Sequence, residues 1–386
     1  MKSIKLNDSL NLIATPNVTG VPNLKKLVFE GCINLCEVDP SILVHKRLTL
    51  LNLQNCKSLS SLPNKFEMKS LEILILSGCS KIKRIPEFIE NMERLSILHL
   101  DGTAVTQLPS TVEHLTNLAS LNLRDCKNLV CLPSIICNFK SLKDIRVTRC
   151  SKLDNLPENL WNNSSLEVLD VSGITIREPP SSFVHLRNLK VLSFGGCKVP
   201  RPMDFLLPLS NLPSLVRLNL SDCNIVTIPI NFGYLPSIRY LDLSGNYFDC
   251  LPESIIQLSR LYVIYLRNCT RICSLPQLPS SVANVYAEGC TPLETLPNIL
   301  TLFGLHQPRL YLLNCFKLTE NQGWTNIFVR FLSRYAQVSL SLSPSLSLSL
   351  YIYIYIYCKI LKSKHHGLYV SGNLQDTCYT ISYGYH

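Results

Sequence analysis

Leu71-Glu-Ile-Leu-Ile-Leu-Ser-Gly-Cys-Ser-Lys-Ile-Lys-Arg-Ile-Pro86 is a phrase that the chain rewrites about a dozen times. Leu71, Leu74 and Leu76 form L-x-x-L-x-L, Cys79 and Ile82 follow at intervals of three, and Ile85-Pro86 closes the phrase. Leu118, Leu121, Leu123, Cys126, Leu129, Leu132 and Pro133 repeat it. Working outward, the first apolar residue of each unit falls at Leu24, Leu48, Leu71, Leu95, Leu118, Leu142, Leu166, Leu189, Leu215, Ile238, Leu261 and Val282, spaced by 21 to 26 residues.

A period of that size with this spacing is the leucine-rich-repeat signature. Residues at offsets +3 and +5 from the first leucine alternate with variable ones, so they share one face of a short strand. The leucines at 0 and about +11, with the one before the proline, fill the rest of a coil. A single coil is unstable, because ordering each residue costs about 1 to 2 kcal/mol of backbone entropy while a buried Leu returns about 1.5 to 3. Stacked coils bury both flanks. The expected fold is therefore an α/β leucine-rich-repeat solenoid: curved, with parallel strands on the concave face and short helical or irregular segments on the convex face.

The expected organisation is a partial repeat at 1–23, an array of about twelve units at 24–300, a capping segment at 301–337 and an unpatterned tail at 338–386. Met1 opens in mid-repeat, from which a missing N-terminal part is expected. The spacing of 26 between Leu189 and Leu215 marks an insertion, Val199 to Pro213, rich in proline. Trp324, Phe328, Phe331 and Tyr335 follow the order of an amphipathic helix. Beyond it Ser alternates with Leu, and Tyr with Ile from Tyr351 to Tyr357, which is how dinucleotide repeats translate. Translated non-coding sequence is the expectation there.

Ten of the 17 cysteines (Cys32, Cys56, Cys79, Cys126, Cys150, Cys197, Cys223, Cys269, Cys290 and Cys315) sit at offset +8, where Thr103, Ile174 and Asn246 substitute. A position that accepts Asn, Thr or Ile is a packing and hydrogen-bonding slot. Reduced thiols are expected, and with them a cytosolic or nuclear protein. No signal-peptide h-region opens the chain. The net charge of +10 is scattered rather than clustered, which argues against nucleic acid or a membrane surface as partner. No metal-ligand spacing and no catalytic motif occurs, so no cofactor, metal or enzymatic activity is expected. His45, His114 and His185 are read as ordinary surface positions.

Offsets +4 and +6 must face outward along the inner curve. Two patches stand out along that curve: Asn122, Arg124, Asp144, Arg146 and Asp170 in the middle, and Tyr240, Asp242, Tyr265, Arg267 and Tyr286 toward the C-terminal end. Tyr and Arg are enriched in binding hot spots, so these ten are the candidate protein-binding residues.

The phrases Leu10 to Ile13, Thr19-Gly20-Val21-Pro22-Asn23-Leu24, Glu30-Gly31-Cys32 and Pro40-Ser41-Ile42, with Leu76 to Lys81 and Leu100 to Val105, resemble the repeats of plant TIR-type nucleotide-binding disease-resistance receptors. Asn314 to Leu318 resembles the start of their post-repeat domain. The chain has no Gly-Lys dipeptide, hence no P-loop, and nothing similar to a TIR domain. The resemblance implies the recognition and autoinhibitory arm of an intracellular immune receptor, engaging a pathogen effector or a host protein and contacting a nucleotide-binding module to control defence signalling. The alternatives are a free-standing intracellular scaffold for host signalling proteins and, third, a secreted receptor ectodomain.

Overall fold

The computed structural model describes residues 1–89, 92–175, 185–197, 206–296 and 309–320. Within them, fourteen strands of three residues form one parallel sheet in chain order, from Ser3–Lys5 and Lys26–Val28 at one end to Asn284–Tyr286 and Arg309–Tyr311 at the other. Each strand covers offsets +2 to +4 of a unit, and like offsets pair: Leu27 with Leu51, Leu74 with Leu98, Leu121 with Ile145, Ile264 with Val285. The middle residue points inward, buried in every strand but the first and last, where Ile4 and Leu310 are partly buried. The leucine-rich-repeat solenoid is thus the observed fold. Its core is a set of apolar columns, each built from one offset repeated coil after coil.

Leu-Pro steps organise the convex side. Pro109, Pro133, Pro157, Pro229 and Pro252 each sit in an extended conformation just before a five-residue 3-10 helix. Proline fixes its own φ and keeps the preceding residue extended, so the chain leaves the turn and enters the helix at one defined point. One side chain of each helix, such as Val112, Ile136, Leu160, Phe232 or Ile255, drops into the core. Two early coils instead pair Lys65–Phe66 with Glu87–Phe88 as short parallel strands, with the two Phe rings stacked 5.4 Å apart. In the long unit after Leu189, the described residues place a 3-10 helix at Leu207–Asn211. The rest of that insertion, the amphipathic stretch after 320 and the alternating tail lie outside the described residues.

Offset +8 is the hydrogen-bonding slot that its substitutions implied. Each +8 thiol donates to the +5 carbonyl of the preceding coil: Cys32 to Leu6 at 2.9 Å, Cys56 to Phe29 at 3.2 Å, Cys79 to Leu53 at 3.0 Å, Cys150 to Leu123 at 3.0 Å and Cys315 to Ala287 at 3.0 Å. That carbonyl also accepts the amide of its own unit's +8 residue, as Phe29 does from Cys32 and Leu53 from Cys56, both at 3.2 Å. The thiols are free, and burial pushes Cys126 up to about 11 and Cys150, Cys197, Cys223 and Cys315 up to about 12. Asn246 fills the same slot more completely. Its amide donates to Leu220 O and Leu243 O at 2.8 Å, and its Oδ1 accepts from the amides of Cys223 and Ile225 at 3.1 and 3.0 Å.

Just before this slot, offset +7 is left-handed in every coil, with φ from 54° at Asp8 and Asp222 to 78° at Gly289. Gly, Asn and Asp tolerate that region. Arg149, at φ 58°, is the exception, and its guanidinium grips Asp125, the +7 residue of the neighbouring coil, through two bonds of 2.6 Å. A Cβ on Gly245 would meet Asp222 Oδ1 at 1.9 Å, so glycine there is fixed by both space and φ.

The histidine reading needs correction. His45 is buried at 8% exposure, its Nε2 donating to Val21 O at 3.1 Å and its Nδ1 accepting from Arg47 N at 3.3 Å. His114 is half-buried, with Nδ1 2.9 Å from Phe88 O. Both rings bridge to a backbone carbonyl of the previous coil, and Val21 O accepts the Leu24 amide as well; His185 is exposed.

Replacing Asn246 with Ala strands the Leu220 carbonyl and the Cys223 and Ile225 amides, while Leu243 O keeps the Cys269 thiol at 3.3 Å, and is expected to cost about 2 to 4 kcal/mol. Asn246→Cys, which restores the donor found in ten other coils, should cost about half as much. Urea midpoints of the three proteins check this, and equal midpoints for Ala and wild type would contradict it.

Candidate protein-binding surface

The outward side chains of the strands and of the turn after them line the inner curve. In the middle, ion pairs and hydrogen bonds link the side chains of successive coils. Arg124 Nη2 reaches past the intervening coil to Asp170 Oδ2 at 3.0 Å, and Arg146 grips Asp144 through Nε and Nη2, both at 2.8 Å. Asn122 Nδ2 donates to Asp101 Oδ1 at 2.9 Å, which also accepts from Ser77 Oγ at 2.6 Å. Asn122, Arg124 and Asp170 therefore belong to one network, with Asp101 and Ser77 as members the sequence reading passed over, while Arg146 and Asp144 form a separate pair within the coil between. Burial by itself would raise the Asp170 carboxyl, but hydrogen bonds from Ser172 and Arg124 outweigh it and hold the pKa below the usual value. The Asp144 hydrogen bond raises Arg146 further above its already high value.

Asn122, Asp170 and Asp242 have a second, local duty. Each sits at +4 and accepts the backbone amide two residues on, at 3.2, 3.2 and 3.0 Å, and Asn52 and Asn219 do the same at 2.9 Å. These Asx turns start the bend out of the strand. Asp242 is accordingly placed by turn geometry rather than drawn into the tyrosine cluster.

The C-terminal patch is an aromatic stack. Tyr265, Tyr286 and Tyr311 occupy +4 in three consecutive coils, their rings 4.8 and 4.3 Å apart and nearly parallel. The parallel register of their strands forces the alignment. Arg267 lies 5.3 Å from the Tyr265 ring centroid and 4.6 Å from that of Tyr286, and Glu288 anchors it at 3.0 Å. One coil earlier Arg217 sits 4.1 Å over Tyr240, which meets Tyr262 edge-on at 6.4 Å. Burial, then the neighbouring Tyr311, pushes the Tyr286 phenol up to about 12. Sequence reasoning found Tyr240, Tyr265, Arg267 and Tyr286 and missed Tyr311, Arg217 and Tyr262. Tyr311 follows Leu310 as Tyr286 follows Val285, a signal hidden by the weakness of that last unit. Toward the N-terminal end, Leu50, Ile73, Ile75 and Ile97 make the inner curve apolar and half-buried.

Among the described residues, no group of three or more His, Cys, Asp or Glu could hold a metal ion. No described helix is long and apolar enough to cross a membrane.

A solenoid of parallel coils with a furnished inner curve defines the class: a leucine-rich-repeat region. Its backbone is similar to that of a leucine-rich-repeat protein of Leptospira interrogans, with a TM-score of 0.54 and 21% identity over 80% of this chain and 89% of that one, a likeness of fold alone. The profile described as "Disease resistance protein RPS4B-like, leucine-rich repeats" matches residues 67–295. TMV resistance protein N of Nicotiana glutinosa is 34% identical over 83% of this chain and 29% of its own length. Disease resistance-like protein DSC1 of Arabidopsis thaliana is 37% identical over 83% of this chain and 26% of its own. The chain belongs to the leucine-rich-repeat family of plant disease-resistance proteins, and it spans less than a third of the length of those relatives.

Asp170 gives a pH prediction. Its folded-state pKa lies below the unfolded value of about 3.9, so it contributes stability that is present above that pH and is lost as pH falls through the folded value. Asp170→Asn should lower stability at neutral pH by about 1 kcal/mol, a modest figure because Arg124 is 39% exposed, and should flatten the acid limb of the profile. Denaturant titrations between pH 3 and 7 check it; parallel profiles would contradict it.

Proposed function

We propose that this region is the recognition arm of an intracellular plant immune receptor, and that its inner curve binds a pathogen effector or the host protein such an effector modifies. The observation that carries the reading is the Tyr265–Tyr286–Tyr311 stack with Arg267 laid against it. Tyr supplies large contact area at low entropic cost, and Tyr and Arg are enriched among the residues that dominate binding energetics. Here register and stacking hold them in place before any partner arrives, so binding spends little on ordering them.

The middle patch has a different part. Its arginines are already paired with Asp170 and Asp144, so they select a partner by charge pattern more than they add affinity. In the parent receptor, the same surface contacts the nucleotide-binding module and contributes to autoinhibition, and partner binding competes with those contacts to release defence signalling. Free thiols along the +8 column accord with a cytosolic or nuclear location.

The test is capture of partners from pathogen-challenged leaf tissue on the tagged chain, quantified by mass spectrometry. Tyr286→Ala with Arg267→Ala is expected to reduce the captured partner at least tenfold, and Arg124→Glu with Arg146→Glu to change which proteins are captured. An unchanged set and amount in both double variants would overturn the assignment of the surface.

A further inference from the structure

Cys250 and Cys273 are unlike the buried thiols of the +8 column. Each lies at offset +12, counted from Ile238 and Leu261, and each is exposed. The amide of Cys273 donates to Asp249 O at 3.2 Å. In parallel pairing this bond sets the donor residue beside the residue that follows the acceptor, so Cys273 stands beside Cys250. The same run of backbone goes on to pair Ser274 with Thr295 in parallel. Immediately upstream, Arg271 clamps Asp249 through Nε at 2.9 Å and Nη2 at 3.3 Å, holding the two coils in this register.

Adjacent parallel segments lie about 4.8 Å apart, inside the Cα separation of about 4.4 to 6.8 Å that a disulfide spans. The shared offset and shared exposure turn both side chains to the same outward side. Of the four exposed cysteines among the described residues, Cys36, Cys131, Cys250 and Cys273, these two alone come from neighbouring coils at one offset. The +8 thiols also stack coil on coil, but they are buried and donate to core carbonyls, whereas the Cys273 thiol donates to Arg271 O at 3.3 Å at the exposed surface.

We propose that Cys250 and Cys273 form a reversible dithiol–disulfide site that closes by exchange with a small-molecule disulfide of the glutathione type and ties two adjacent coils together. One cysteine thiolate attacks a sulfur of the small disulfide, forming a mixed disulfide and expelling one small thiolate. The neighbouring cysteine thiolate then attacks the protein sulfur of that mixed disulfide. The Cys250–Cys273 bond forms, the mixed bond breaks, and the second small thiol departs. Two protein thiols are oxidised, one small disulfide is reduced to two thiols, and the two protons lost by the protein end on those thiols.

The experiment incubates the reduced full chain with glutathione disulfide and digests it, unreduced, with trypsin and a glutamate-specific protease. Cleavage at Arg260, Arg271 and Glu288 puts Cys250, Cys273 and Cys290 on separate peptides. The expected product is the Cys250 peptide joined to the Cys273 peptide, lighter by two hydrogens than their sum and separated by dithiothreitol. In Cys250→Ser the link disappears and Cys273 keeps a glutathione adduct; Cys273→Ser gives the converse. Both are near-isosteric changes at exposed positions, and circular dichroism checks that the fold is kept. Glutathione adducts on both wild-type cysteines without a link, or a link found between isotopically distinct chains, would overturn the proposal.

Discussion

The structure depends on what happens at the +5 carbonyl. Leaving the strand, the chain turns away from the sheet, and this carbonyl would be left with one lone pair unmet inside the core. The +8 thiol of the next coil meets it, as Cys56 does for Phe29 and Cys79 for Leu53. Because the donor comes from a different coil, the bond exists only when coils stack in register. It thus couples a local turn to the global solenoid. Cysteine suits the slot because it is small, apolar in bulk and a weak donor, so burying it between leucine columns carries little desolvation cost. Asn246 shows the other solution, a stronger polar group that is tolerated because all of its atoms find partners.

From that constraint the surface follows. A fixed register brings +4 of one coil beside +4 of the next, so any run of like side chains becomes a ladder. Three tyrosines in successive +4 positions must stack, and an arginine at +6 lies against them. The repeat architecture therefore turns sequence periodicity into a preorganised surface, and no loop has to be ordered to build it. The family relation gives this surface its setting, a repeat region within much longer plant disease-resistance proteins.

How much of this could be read from the chain differs by residue. The columns at 0, +3 and +5 were legible because apolar side chains recur there without exception in the central coils, as at Leu71, Leu74 and Leu76. The role of +8 was legible from its substitutes, since Asn246 and Thr103 in the place of Cys point to hydrogen bonding. The left-handed +7 position was written in Gly31, Asn55 and Gly78 but obscured by Arg149, whose backbone preference gives no warning of it. The Arg124–Asp170 bond joins residues two coils apart, and periodicity says only that both face outward, not that a long guanidinium passes over the coil between. His45 was misread because a polar residue between strands looks like surface, whereas here its ring is buried and tied to the Val21 carbonyl of the coil before.

Thiol reactivity under rising denaturant tests the central claim most directly, because it reports on the +8 slot of each coil separately. The account predicts that in native buffer an alkylating reagent modifies Cys36 and Cys131 promptly while the ten +8 cysteines stay unlabelled. As urea increases, each +8 thiol should become reactive together with those of its neighbouring coils. If the +8 thiols label as readily as Cys36 without denaturant, or are found joined to one another in disulfides, the stacked-coil account is contradicted.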